Sequence, residues 1–82
     1  GISLKVGDQN ETVVLVQTMF ALLSNMVADI TPEATTGKFT QTLQNNVKWL
    51  QRVSNLAETG MVNQATWDRL ARLYEMLITA HF

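Results

Sequence analysis

Val13, Val16, Phe20, Leu23 and Val27 recur at alternating spacings of three and four, the period of a helix with one buried face, and Leu15, Met19, Leu22 and Met26 widen that stripe. The pattern predicts a first helix over about residues 10–25. Asp8 or Asn10 can cap its start, and Asp8 stands three residues before Glu11, the spacing of a capping box. From Ala28 to Thr36 the period stops around Pro32, which reads as a loop. Leu43, Val47, Leu50 and Val53 then set a second helix over about 40–54. Thr66, Trp67, Leu70, Leu73, Tyr74, Leu77 and Ile78 set a third over about 63–79. Thr40 and Asn63 are suited to cap these two, and Asn55 to Val62 form a short connection in which Gly60 is placed for positive φ. The expected fold is all-α, a compact three-helix bundle joined through glycine turns.

Overlaying the later helices exposes an internal echo. Thr36-Gly37-Lys38-Phe39-Thr40 matches Thr59-Gly60-Met61-Val62-Asn63, and the same shift of 23 residues sets Val47 on Leu70 and Leu50 on Leu73. Each unit reads as a glycine turn, an inward apolar anchor in extended backbone, a cap, then a helix. The anchor can staple the incoming chain onto the helix's first turns and fix its approach; chance similarity within a helical protein is the competing account. A second echo pairs Val13-Val14-Leu15-Val16-Gln17 with Val47-Lys48-Trp49-Leu50-Gln51. Gln17 and Gln51 either send their amides to loop backbone that would otherwise be orphaned, or are simply solvated.

Composition narrows the classes of function. The 82 residues are 46% hydrophobic and 16% charged, enough apolar material for one core and no more than one domain. No cysteine is present, which excludes disulfides, thiolate metal sites and thiol nucleophiles. Lys5, Lys38, Lys48, Arg52, Arg69 and Arg72 are scattered among acids at a net charge of −1, so nucleic acid is not an expected partner. No apolar run reaches the roughly 20 residues that cross a bilayer, so no membrane partner is expected. The expectation is one domain over 1–82, a piece of a longer protein and a monomer.

The motifs resemble the peptidoglycan-binding domain, a three-helix cell-wall module appended to bacterial cell-wall hydrolases and spore proteins. Its opening V-x-x-L-Q helix behind glycine and aspartate is met by Gly7, Asp8, Val13, Val16 and Gln17. Its central pattern is met by Gly37, Phe39, Val47, Leu50 and Gln51, and its closing pattern by Leu56, Thr59, Gly60, Val62, Thr66, Trp67 and Leu70, with no insertion from Gly37 to Tyr74. Departures stand at Thr36, Thr40, Leu43, Asn46, Asn10 and Asn55. The last two replace glycine with a residue that tolerates left-handed backbone. Asn46 replaces alanine and, if buried, needs partners for its amide.

The resemblance implies a non-catalytic module that targets an attached hydrolase, or a spore or envelope protein, to peptidoglycan through the glycan or the stem peptide. It implies an extracellular place in the cell wall or spore envelope of a bacterium, a covalently linked catalytic or envelope domain, and no cofactor. An interaction or structural domain that kept the fold and lost glycan binding is the alternative. The pro-segment of matrix metalloproteinases uses a similar fold with a zinc-blocking cysteine that this chain lacks, and a DNA-binding bundle would need a basic recognition helix. No catalytic residue is expected: the lone histidine His81 has no second histidine or cysteine beside it, and the seven carboxylates fall mostly at helix starts, loops and exposed positions. For ligand binding, Trp49 is singled out with Asn45, Asn46 and Arg52. An exposed indole takes sugar C–H groups while amides and guanidinium hold hydroxyls or a carboxylate; burial of Trp49 against a neighbouring helix is the competing reading. Trp67 is expected in the core. Met19, Met26, Met61 and Met76 read as core fillers, with a hydrophobic groove as the other reading.

Overall fold

The computed structural model describes residues 1–80 and forms α1 (Glu11–Leu23), α2 (Gln41–Val53) and α3 (Gln64–Ala80). Expected and observed helices agree within two residues at each end. His81 lies outside the described residues.

Each helix begins where a side chain takes up an amide that the helix itself leaves free. Asn10 Oδ1 accepts from Val13 N at 2.9 Å, Thr40 Oγ1 from Leu43 N at 3.0 Å and Asn63 Oδ1 from Thr66 N at 2.9 Å. The capping box expected of Asp8 is not formed. Glu11 is the first helical residue, so Asp8 stands two positions too early to cap, and its Oδ2 closes a turn by accepting from Lys5 N at 2.9 Å. Asn10 is extended at φ −168°, so no left-handed backbone is needed there. Asn55 does use that region, with φ 58°. It ends α2 in a Schellman turn in which Leu56 N donates to Gln51 O at 2.8 Å and Asn55 N to Arg52 O at 3.2 Å.

The core joins Val13, Val16, Phe20 and Leu23 of α1, Leu43, Val47 and Leu50 of α2 and Leu70 of α3. Between the helices, Phe39 and Val62 fill it as the two anchors of the repeated turns, and Leu4 and Ile30 enter from the N-terminal arm and the 24–36 loop. Ile30, 2% exposed, gives that loop a core residue where the sequence suggested only small and polar ones. The stripe is narrower than its periodicity implied: Leu15, Leu22, Met26 and Val53 are exposed, Leu15 at 55%. A helix buries only what its neighbours cover: Leu15 sits at the open edge of the contact between α1 and α3, and Met26 lies beyond the end of α1. Met61 and Met76 are exposed as well, so Met19, half-buried against the core, is the methionine that fills a gap.

Residues 1–10 form an arm that lies across both glycine turns. Among the described residues, isolated antiparallel bridges pair Leu4 with Val62 and Gln9 with Lys38. Leu4 and Val62 exchange both backbone bonds, at 3.0 and 2.8 Å, and Phe39 N donates to Asp8 O at 2.8 Å. The arm thus satisfies backbone that the turns would otherwise leave open.

Candidate functional site

The two glutamines of the sequence echo perform one task twice. Gln17, 1% exposed on α1, accepts from Gly37 N at 2.7 Å and donates to Lys38 O at 3.0 Å. Gln51, 1% exposed on α2, accepts from Gly60 N at 3.0 Å and donates to Met61 O at 2.9 Å, with Thr59 and Thr66 hydroxyls at 3.2 and 3.1 Å from the same nitrogen. A glutamine amide matches this arrangement because it carries an acceptor and a donor side by side. Each clamp holds the turn that launches the following helix. Gly37 and Gly60 have φ 83° and 74°, and a Cβ at Gly60 would lie 2.7 Å from Gln44 Cγ. Side-chain-bearing residues are therefore disfavoured at both clamped turns.

A buried amide elsewhere on α2 is similarly occupied. Asn46, 2% exposed, accepts from Thr31 N and donates to Thr31 O, both at 2.9 Å. A ligand would have to break this closed pair of hydrogen bonds to reach the Asn46 amide. Trp49 is half-buried with its ring against the core, and Asn45 is exposed and accepts from Gln41 Nε2 at 3.2 Å. Arg52 is exposed and pairs with Glu58 at 3.2 Å. Trp49, Asn45 and Arg52 thus share one helix within two turns, with accessible surface on each.

Trp67 is half-buried, short of the full burial expected, because its outer side lines a cleft between α1 and α3. Leu15, Thr18, Met19 and Tyr74 complete this space of about 300 Å³. The helix periods carried the signal for it: Leu15 and Met19 are four residues apart on α1, Trp67 and Tyr74 seven apart on α3. Reading all four as core hid the cleft.

Glu33 is set apart from the other carboxylates. Its Oε1 accepts from the Thr40 hydroxyl at 2.7 Å and from Gln17 Nε2 at 3.4 Å, while Oε2 is buried without a partner among the described residues. It ties the 24–36 loop to the first clamp and to the cap of α2. Among the described residues no group of three or more histidines, aspartates or glutamates is placed to hold a metal ion, and no helix is long and apolar enough to cross a membrane.

Searches of curated proteins and of solved structures gave no match. A family model described as "Putative peptidoglycan binding domain" matches residues 9–70, a span that begins just before the α1 cap, contains both clamps and both glycine turns, and ends at the core residue Leu70. With that match covering most of its length, the chain belongs to the peptidoglycan-binding domain family.

Proposed function

We propose that this domain is a non-catalytic anchor that keeps an attached cell-wall hydrolase, or a spore or envelope protein, against peptidoglycan outside a bacterial cell. The family match over residues 9–70 carries the reading. Its mechanism is local concentration: a weak contact repeated along a polymer raises the encounter rate of whatever is tethered, with no chemistry in the module itself.

The α2 face of Trp49, Asn45 and Arg52 is the proposed contact. The open side of the indole takes a sugar face, the Asn45 amide a hydroxyl or acetamido group, and Arg52 exchanges its exposed pairing with Glu58 for a carboxylate. An exposed pair of this kind is worth about 0–1 kcal/mol, so the exchange costs little. Sedimentation with purified sacculi tests both statements. The chain pellets with intact sacculi, and Trp49→Ala weakens pelleting while helicity persists; a chain that stays in the supernatant refutes the anchor, and an unaffected Trp49→Ala removes the α2 face alone.

A further inference from the structure

We propose that the cleft between α1 and α3 is a second contact, a subsite for the glycan strand that seats N-acetylated pyranose rings on Trp67 and Tyr74. The inference rests on the peptidoglycan-binding reading and specifies which part of the polymer is held. Trp67 and Tyr74 are both half-buried, and both line the cleft. Seven residues apart on α3, they are separated by two helical turns, about 10.5 Å along the axis. That interval is comparable to the length of a β-1,4-linked disaccharide, so every second ring along one strand can meet an aromatic group, alternate rings of such a strand presenting the same face.

The lining selects the occupant. Leu15, Thr18, Met19, Trp67 and Tyr74 include no charged side chain. A stem peptide brings carboxylates and an amine that require charged partners when they leave water, whereas a pyranose presents C–H faces and acetamido and lactyl methyl groups that apolar and aromatic surfaces accept. Size agrees: about 300 Å³ is at the lower end of small-ligand sites, and five lining residues fall far short of the roughly 800 Å² per partner of a stable protein interface. Tyr74 also carries a phenolic hydroxyl, a donor and acceptor for a sugar hydroxyl. It lies beyond the 9–70 family match, on the last turns of α3.

Trp67 and Tyr74 also pack on the core, so the test uses Leu15, whose 55% exposure on the cleft wall lets it change without disturbing packing. The two indole N–H resonances report separately on Trp49 and Trp67 during titration of the full chain with a neutral β-1,4-linked N-acetylglucosamine tetrasaccharide, then with the free stem peptide. The expected result is movement of the Trp67 and Tyr74 signals with the tetrasaccharide and none with the peptide. Leu15→Glu, folded by circular dichroism, should weaken that response about tenfold or more, because it sets a charge against an apolar ligand face. Peptide-induced shifts in the cleft, or a Leu15→Glu chain that binds the tetrasaccharide unchanged, overturn the subsite. Sacculus sedimentation separates the two levels: pelleting of both chains equally sinks the cleft alone, and pelleting of neither sinks the anchor with it.

Discussion

Replacing Gln51 with leucine keeps nearly the same volume in a fully buried position and removes only the clamp. Four hydrogen bonds of 2.9–3.2 Å disappear, to Gly60 N, Met61 O and the hydroxyls of Thr59 and Thr66. The hydroxyls can rotate toward other partners. The Gly60 amide cannot, since Gly60 is itself buried beneath Gln44 and Lys48. Met61 O keeps the Thr59 hydroxyl at 3.3 Å, so one buried group is orphaned, at about 1–3 kcal/mol. A chain of 82 residues is held by about 4–12 kcal/mol, so a sizeable part of the total is at stake. At about 4–8 °C per kcal/mol for a domain this size, the melting midpoint followed by circular dichroism at 222 nm should fall by about 5–20 °C. A fall of less than about 5 °C would mean that solvent or a rearranged turn takes over the bonds, and the clamp would lose its place as the device that sets α3 on α2.

Gly60→Ala should cost about 1–3 kcal/mol in urea denaturation, from left-handed strain plus the 2.7 Å approach to Gln44 Cγ. Gly7→Ala, where φ is 99° and nothing lies within 4 Å of the added Cβ, isolates the strain alone and should cost less; equal losses would deny the packing contribution. Asn46→Leu should lose about 1–2 kcal/mol and speed amide exchange at Thr31, while folded protein pellets with sacculi as before. Weakened pelleting at full helicity would place Asn46 on the recognition surface.

Helix positions and caps were legible because they depend on local periodicity and on one side chain reaching its own helix's first amides, as at Thr40 and Asn63. The two turn-anchor-cap units were legible for the same reason, and Phe39 and Val62 sit buried as their repetition suggested. Width of burial was not. Period fixes the direction of a helix's apolar face, but where that face meets solvent depends on how neighbouring helices cross it, so Leu15 and Val53 read as core and lie outside it. Asn46 shows the other limit. Its residue type at a position where alanine is usual marked a polar group in need of partners, but the partner is the backbone of Thr31, whose amide and carbonyl are the same in every sequence. The candidate surface was read in part for a related reason: Trp49, Asn45 and Arg52 share a helix and are grouped by spacing alone, whereas the cleft of Trp67 and Tyr74 is made by the meeting of two helices.

The two clamps differ in how much chain they enclose. Gln17 reaches its glycine across 20 residues, and Gln51 across 9. Closing the longer loop costs about 0.7 kcal/mol more in chain entropy, and the shorter one already has α2 as its base. Assembly therefore favours the α2–turn–α3 half as the folding nucleus, with α1 and the N-terminal arm arriving afterwards. Substituting Gln51 should slow refolding, and substituting Gln17 should chiefly hasten unfolding; the reverse pattern in stopped-flow kinetics would place the nucleus at the other end of the chain.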